Sequence, residues 1–408
     1  MQQNWYKLDS PTNKFLTKIY FVDNLNGFIS GDSGIILKTT NAGISWNILN
    51  TGIENNIENI FFINKNLGFA LAWKIDSQPY KTIILKTIDG GNVWEKKEYN
   101  EENIFFQSIH FFDSLNGFLG GFGGVIAKTI DGGRNWRNTQ VLGNCSALPI
   151  SNFSFLNRDI AFATGGVFDF AGVIWNTKNS NGEEWNSFCL APEPIEKICF
   201  IDSLNIIGVG GDFEYGASVI RSTNGGDDWN YSSLNIFGIP YSLSMRTQNE
   251  FWSPLGFANE FLYSTNSGID WNVISTLDST SIFDVFFVDS LCGYAVGYNG
   301  IILKYTKNPL NIKEEKFPNS IYLKNYPNPF NNATKVFYNL THNSFVNLDI
   351  FDLNGNLIKT LVNKYQSEGS YNLTFDSENF SSGIYFCNLK IKSNNSIITK
   401  TQKMILLK

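Results

Sequence analysis

Three carboxylates in long, aromatic-rich stretches are the residues best suited to acid–base chemistry. They are Asp169 in "GGVFDFAG" (165–172), Asp212 in "GGDFEYGAS" (210–218) and Glu260 in "WSPLGFANEF" (252–261). Hydrolysis of a glycosidic bond requires two such groups about 5–10 Å apart. No motif selects a pair among these three, so the sequence favours solvated surface acids over a catalytic dyad.

The same stretches, together with "AWKIDSQPYK" (72–81), also carry large aromatic side chains. Aromatics interspersed with acids on a concave rim suit a sugar or a protein partner. The alternative is that these loops only pack against one another. The ligand-binding candidates are therefore the following residues: Trp73, Tyr80, Phe168, Asp169, Asp212, Tyr215, Trp252 and Glu260.

Other chemistries find little support in the composition. The 408 residues include two histidines far apart in sequence and five cysteines without a CxxC spacing, so we expect no metal site. A net charge of −6 without a basic block argues against nucleic acid, and no apolar run is long enough for a membrane helix. No cofactor motif is present. Cys145 and Cys189 could form a disulfide, but their spacing alone does not decide the pairing.

The elements that would position these residues follow from a repeat. Six tryptophans recur at intervals of 42 to 49 residues, and most follow the pattern Ser/Thr-x-Asp/Asn-x-Gly-x-x-Trp. Each unit reads as three short apolar strands followed by a fourth strand that carries the tryptophan. A period of about 40–50 residues with four antiparallel strands per unit predicts the blade of a β-propeller.

The recurring turn is expected to be structural, because six equivalent copies around a ring would not all be active sites. The Asp or Asn oxygen can accept backbone N–H groups, and glycines such as Gly91 permit the tight turn. The fourth copy keeps only Gly182 and Trp185, with Ser180 where the acid should stand. The turn residues are the following: Asn41, Trp46, Asp89, Trp94, Asp131, Trp136, Asn224, Trp229, Asn266 and Trp271.

The two ends of the repeat region predict how the ring closes. A three-strand unit ends near Thr306 without its tryptophan strand, while "NWYKL" at the start of the chain supplies such a strand without its unit. Trp5 lies in register with Trp46. We therefore expect an all-β fold in which residues 1–306 form a seven-bladed β-propeller closed by the N-terminal strand. Such closure hides an open sheet edge.

The tryptophan turn resembles the Asp-box of sialidase and BNR-repeat propellers. The whole unit resembles the photosystem II stability and assembly factor family, which implies a non-catalytic, seven-bladed ring that binds partner proteins. Sialidases hold the substrate carboxylate with three arginines. This chain has five arginines, and Arg134, Arg137 and Arg221 belong to or flank the repeat turns and strands. Xyloglucanase-type propellers use two rings, whereas this chain has one.

The C-terminal region has a different pattern. After a polar linker (307–320), residues 321–408 alternate as a small β-sandwich that begins with Tyr326, Pro327, Asn328, Pro329 and Phe330. This "YPNPF" stretch, the "DLNGN" turn, "SSGIYF" and the terminal "KMILLK" resemble the type A C-terminal sorting domain of type IX secretion. The resemblance implies recognition by that secretion machinery, and a place outside the cell or on the outer-membrane surface of a Gram-negative bacterium.

The N-terminus, "MQQNWYKLDS", shows no signal peptide, although that route begins with export to the periplasm. A processed start, a misassigned gene start and an intracellular protein would each account for this, and we expect a missing leader. The prediction is a secreted or cell-surface, non-catalytic propeller that binds a protein or a glycan. The alternative is a secreted polysaccharide-active glycoside hydrolase or a carbohydrate-binding module.

Overall fold

The computed structural model describes residues 4–178, 181–306, 323–340, 342–353, 355–377, 380–393 and 396–408. The chain divides into two compact units, Met1–Pro309 and Leu310–Lys408. The expected linker (307–320) and Ser180 of the fourth tryptophan repeat lie outside the described residues.

The first unit is built from short strands, most of which form four-stranded antiparallel sheets. The short strand β1 (Trp5–Lys7) comes first. Sheet 1 contains β2 (Leu16–Phe21), β3 (Gly27–Gly31), β4 (Ile36–Thr39) and β5 (Asn47–Leu49). Sheet 2 contains β6 (Ile57–Phe62), β7 (Gly68–Lys74), β8 (Lys81–Thr87) and β9 (Glu95–Glu98). Sheet 3 contains β10 (Phe106–Phe111), β11 (Gly117–Gly121), β12 (Ile126–Thr129) and β13 (Arg137–Asn138).

The pattern continues to Thr306. Sheet 4 contains β14 (Gln140–Leu142), β15 (Ile150–Phe155), β16 (Ile160–Val167), β17 (Ala171–Lys178) and β18 (Glu184–Ala191). Sheet 5 contains β19 (Ile195–Phe200), β20 (Ile206–Asp212), β21 (Gly216–Ser222) and β22 (Asn230–Ile236). Sheet 6 contains β23 (Ser244–Thr247), β24 (Glu250–Pro254), β25 (Glu260–Ser264) and β26 (Asn272–Ser275). Sheet 7 contains β27 (Ile282–Phe287), β28 (Cys292–Gly297), β29 (Ile302–Thr306) and β1. Short 3-10 turns lie at Phe122–Gly124, Leu277–Ser279 and Tyr298–Gly300.

Burial follows position within each sheet. The second strands are the most buried, and β3, β11 and β20 are buried along their whole length because both of their faces pack against neighbouring sheets. The fourth strands are less buried: two of the three residues of β5 are exposed, and β9 consists of charged residues that are exposed or partly buried. Strands buried on both faces read as continuous apolar or small-residue runs, which is the pattern of these central strands. The hydrophobic core therefore lies between sheets.

The N-terminal strand β1 pairs antiparallel with β29, with Trp5 opposite Tyr305. The Trp5 ring is buried and stacks on Phe261 of sheet 6, with ring centroids 5.0 Å apart. Burial of a tryptophan and its aromatic contacts favours this pairing over a free terminus. The fold thus joins the two ends of the repeat region in one sheet.

Sheet 4 differs from the expected four-stranded unit because β14 adds a fifth strand at its edge, parallel to β18. Cys145 follows β14 and forms a disulfide with Cys189 of β18. The cross-link closes a sequence separation of 44 residues and fastens the extra strand to the sheet. The pairing that the sequence left open is therefore present in the structure.

The second unit contains two sheets around one hydrophobic core. Its strands are β30 (Leu323–Tyr326), β31 (Ala333–Leu340), β32 (Ser344–Phe351), β33 (Leu357–Gln366), β34 (Gly369–Asp376), β35 (Gly383–Ser393) and β36 (Ser396–Leu406). One sheet has the order β30-β31-β34 and the other the order β33-β32-β35-β36. Val336 and Tyr338 from the first sheet share a core with Leu348 and Leu389 from the second, as in a β-sandwich. Within the described residues, no helix is long and apolar enough to cross a membrane.

Candidate functional site

The tryptophan turns lie between the third and fourth strands of their sheets. In the turn after β8, the Thr87 hydroxyl donates to Asp89 Oδ1 at 2.8 Å and accepts the Gly91 N–H at 2.8 Å. Asp89 Oδ1 also accepts the Val93 N–H at 3.0 Å. Gly91 has a φ of 90°, a conformation that a side chain would penalise.

The same bonds recur at four further turns, those that begin at Thr39, Thr129, Ser222 and Ser264. The hydroxyl-to-glycine and oxygen-to-backbone bonds occupy the polar groups of the turn within the turn itself. These contacts are structural, in line with the role expected from the sequence. The turn tryptophans pack against neighbouring rings, as Trp94 does against Phe62 at 6.0 Å and Trp136 against Phe111 at 5.9 Å.

The loops between second and third strands lie at the other end of the strands, and several predicted ligand-binding residues are accessible there. Tyr80, Phe168 and Tyr215 are exposed, by 38%, 48% and 50%. Asp169 is exposed at the tip of the loop after β16, with a φ of 58°. Single exposed aromatics are common, but several on one face are typical of an interaction surface.

Trp73 and Glu260 are partly buried on the same side of the sheets. The Trp73 indole donates to the Phe106 carbonyl at 2.7 Å, and its ring packs on Phe105 and Phe122. Glu260 is the first residue of β25 and lies opposite Ser275 of β26 in the sheet. Trp73 therefore braces sheet 2 against sheet 3 and leaves only part of its ring to a ligand.

Two of the residues predicted to be accessible in these loops, Trp252 and Asp212, are buried, so that prediction is wrong for them. Trp252 is fully buried in β24, where it packs against Trp5 and Phe261 and donates to Glu250 Oε1 at 2.7 Å. Asp212 is 1% exposed at the end of β20. Its Oδ1 caps the loop by accepting the N–H groups of Glu214 and Tyr215. Both side chains hold the structure together instead of facing solvent.

A central cavity of about 320 Å³ lies among the first strands of the sheets, and sequence reasoning missed it. Six first strands carry a β-bulge at one residue each. The bulged residues are Thr17, Glu58, Gln107, Ser151, Glu196 and Phe283, and all six line the cavity. A bulge leaves its extra residue unpaired in the ladder and re-aims the side chain. Here the bulges turn six side chains towards one space.

Two of these bulge residues are acidic. Burial raises the pKa of Glu58 to about 7, with a further increase from the nearby Asp32 and a decrease from Lys18. Burial likewise raises the pKa of Glu196 to about 7, against the lowering effect of Lys18. Groups with such values change charge near neutral pH, which is a property of functional carboxylates as well as of poorly solvated ones. The signal that could have revealed them is Ile-Glu at the start of two equivalent strands.

Below the cavity, the first strands present an aromatic layer. His110 stacks on Phe155 at 4.2 Å and contacts Phe61 at 4.9 Å. Burial lowers the pKa of His110 to about 4, so the imidazole is neutral at physiological pH. This histidine contributes packing.

The residues of the predicted sorting motif surround the last strand of the second unit. The Asn328 side chain accepts the Ile405 N–H at 2.8 Å and donates to the Lys403 carbonyl at 2.9 Å. Phe330 is buried in the core, and its backbone bonds to Ile405 and Leu407. The Pro327 carbonyl accepts a hydrogen bond from the Thr334 hydroxyl. Pro329 lies between Asn328 and Phe330, the two residues that bond to the last strand. Tyr326 ends β30, and its side chain lies outside the described set.

Comparison with known families agrees with both resemblances. A model of the photosynthesis system II assembly factor YCF48 family matches residues 1–96 and 44–194. A model of the secretion system C-terminal sorting domain matches residues 324–406. The two resemblances stated from the sequence are thereby confirmed. No curated protein matches the sequence significantly.

Solved structures similar to this chain are propellers. YCF48 bound to D1 peptide is 18% identical, with a TM-score of 0.59 over 75% of this chain and 96% of the other. YCF48 from Cyanidioschyzon merolae is 16% identical, with a TM-score of 0.60 over 74% and 99%. The GH74 xyloglucanase from Xanthomonas campestris is 10% identical, with a TM-score of 0.55 over 74% of this chain and 53% of the enzyme. At these identities, the likeness concerns the fold alone.

Proposed function

We propose that this chain is a non-catalytic binding protein of the cell surface or the external medium, because its repeats match the YCF48 assembly-factor model and its C-terminal region matches the sorting domain of type IX secretion. Residues 1–306 form the binding part, and residues 321–408 are the export signal. The partner is a protein or a glycan that docks on the face with the second-to-third-strand loops.

The binding part is proposed to be a closed ring of seven blades. Support comes from hydrogen bonds between the first strands, or the residues beside them, that link each sheet to the next and the seventh to the first. They are the following: Thr17 to Ile57, Asn59 to Gln107, Gln107 to Ile150, Ser154 to Ile198, Cys199 to Leu243, Phe287 to Ser244 and Ile19 to Asp284. A closed ring is rigid and presents its loops in fixed positions, which reduces the entropy lost on binding.

One observation carries the proposed function: a polar cavity opens at the end of the strands where exposed aromatic loops also lie. Phe257, which is 60% exposed, and Tyr298, which is 50% exposed, belong to these loops. Phe257 contacts Phe283 of the cavity wall, and Tyr298 contacts Phe15. The opposite end carries turns whose polar groups are bonded internally. A concave centre with an aromatic rim is the usual form of a protein or sugar site.

The experiment is a binding screen of the full chain against peptides and polysaccharides, read for both retention and released sugar. We expect retention without sugar release. A Phe168→Ala/Tyr215→Ala variant should lose most of the binding. Ile44→Ala/Ile88→Ala removes apolar side chains that are even more exposed, on the opposite face, and should not. Binding that survives the first variant contradicts the assignment of the face.

The enzymatic alternative is tested by the same screen. The acids expected to serve a glycosidase were Asp169, Asp212 and Glu260, of which Asp212 is buried and occupied with backbone N–H groups. Sugar release that disappears in a Glu58→Gln or Glu196→Gln variant would replace the non-catalytic proposal with a hydrolase whose acids lie in the cavity.

A further inference from the structure

Acids outnumber bases among the charged residues of the cavity lining. Asp32, Glu58 and Glu196 line the cavity together with a single basic residue, Lys18. The side-chain carboxyl groups of Glu58 and Glu196 make no hydrogen bond or ion pair with the part of the chain that the structure describes, although the Glu196 main-chain carbonyl accepts the Thr164 hydroxyl. The Glu58 and Glu196 side chains are both partly buried, and both line the cavity. Carboxylates with restricted hydration are normally paired, because an unpaired charge in a poorly hydrated place is costly.

One part of the cavity wall is aromatic. Phe15, Tyr241 and Phe283 line it, and Phe283 packs against Phe15 at 4.6 Å and against Tyr241 at 4.9 Å. Phe257 and Tyr298 extend this aromatic wall to the loop surface, with Phe257 4.9 Å from Phe283. Aromatic faces attract cations through their quadrupole, most strongly where water is excluded.

The acids and the aromatic wall favour the same kind of ligand. Unpaired carboxylates attract a positive charge, and an aromatic wall accommodates both that charge and an aliphatic stem. Among the described residues, no three His, Cys, Asp or Glu side chains are grouped as a metal ion requires. Charge dispersed over a cavity of about 320 Å³ suits an organic cation with a side chain's bulk, because pockets of this size hold small groups.

We propose that the central cavity recognises the ammonium or guanidinium group of a lysine or arginine side chain on a partner peptide. This inference rests on the proposed function of the loop face. Glu58 and Glu196 pair with the cation, the wall of Phe15, Tyr241 and Phe283 contacts its stem, and the exposed rim residues hold the neighbouring peptide. The cavity thus selects basic over acidic segments.

The charges around the two acids predict a dependence on pH. Asp32 and Lys18 face Glu58, and Lys18 and Tyr241 face Glu196. With pKa values of about 7, both carboxyls are largely protonated at pH 6 and largely ionised at pH 8. Only the ionised form attracts the ligand, so binding strengthens as pH rises and releases protons from the cavity.

The test uses the immobilised full chain and a random octapeptide library, with retained peptides sequenced at pH 8. We expect enrichment of lysine and arginine on the wild-type protein. The best retained peptide should bind at least about tenfold more weakly to a Glu58→Gln/Glu196→Gln variant, and about tenfold more weakly to the wild type at pH 6, where roughly a tenth of each carboxyl is ionised. A Glu95→Gln/Glu368→Gln variant removes the same charge from exposed sites and should bind as the wild type does.

The outcomes separate this inference from the proposed function. Peptides retained through the aromatic rim but equally by wild type and cavity variant overturn the cation pocket and leave the binding role intact. Enrichment of acidic peptides, or equal weakening by the control variant, also overturns it. In the binding screen described above, retention of polysaccharides but not of peptides would assign the face to sugars and reject the peptide ligand. No retention of either class contradicts both proposals. The melting temperature of each variant, measured in parallel, excludes unfolding as the cause.

Discussion

The Lys304 ammonium donates a hydrogen bond of 2.8 Å to the main-chain carbonyl of Ala42, although 262 residues separate the two in sequence. Equivalent lysines make the same contact with the turn of the next sheet: Lys38 with Gly90, Lys86 with Gly132 and Lys128 with Asn181. In each case the accepting carbonyl belongs to the residue before the turn glycine. In these four cases one lysine fastens two neighbouring sheets, and Lys304 does so between the seventh sheet and the first.

We expect Lys304→Met to lower the free energy of unfolding by about 1.5–3 kcal/mol, because it removes a charged donor from a partly buried carbonyl. Urea unfolding measures the loss. Lys38→Met should cost a similar amount, while Lys96→Met, at an exposed site on β9, should cost little. Equal stability of the Lys304 and Lys96 variants would show that the bond across the seam contributes nothing.

The tryptophan turns predict a second stability effect. Thr87→Val keeps the size of the side chain but removes the hydroxyl that serves Asp89 and Gly91, with an expected loss of about 1–3 kcal/mol. Thr87→Ser keeps the hydroxyl and should lose less than half as much. Thr129→Val in another turn should add to the first loss, since distant sites are independent. Thermal unfolding of the wild type, the two single Thr87 variants and the Thr87→Val/Thr129→Val double variant distinguishes these results.

The cavity acids predict a pH dependence of stability. Glu58 and Glu196 have folded-state pKa values of about 7 against a reference of 4.5, so the native state holds more protons than the unfolded state between these values. Stability contributed by the neutral carboxyls is therefore present below pH 4.5 and lost as pH rises through 7. Glu58→Gln/Glu196→Gln should raise the melting temperature relative to the wild type at pH 8 and leave it unchanged at pH 4.5. A constant difference across this range would mean that the acids titrate normally.

The disulfide gives a prediction about redox state. The exported protein should contain the Cys145–Cys189 link, while Cys199, Cys292 and Cys387 remain free thiols. Peptide mapping without reduction checks the pairing. A Cys145→Ser/Cys189→Ser variant should lose about 2–4 kcal/mol of unfolding free energy. A matched Cys387→Ser variant should keep the link, and its effect reports only on packing in the second unit.

The sorting motif predicts a local effect in the second unit. Phe330→Ala removes a buried ring from the β-sandwich core and should cost that unit about 3–5 kcal/mol. Tyr365→Ala, at a site 76% exposed, should cost little. Limited proteolysis should then cleave the second unit of the Phe330 variant first and leave the repeat region intact. Simultaneous loss of both units would contradict their independence.

Much of the fold could be predicted from local sequence. The tryptophan turns recur because their hydrogen bonds span at most four residues, so "KTIDGGNVW" specifies its own conformation wherever it stands. Strand alternation and the repeat interval predicted the sheets for the same reason. The loops were harder, because burial depends on neighbours that a linear pattern does not contain. Trp252 and Asp212 are the examples: one fills the space between sheets 6 and 7, and the other caps its own loop.

The sequence alone therefore determined the repeat, its turns and the sorting tail, because each is encoded in contiguous residues. Only the tertiary structure decided which side chains share the centre. Glu58 and Glu196 lie far apart in the chain and line the same cavity because equivalent bulges turn both towards it. A bulge shifts the register by one residue and reverses the side-chain direction, so simple alternation cannot identify these acids.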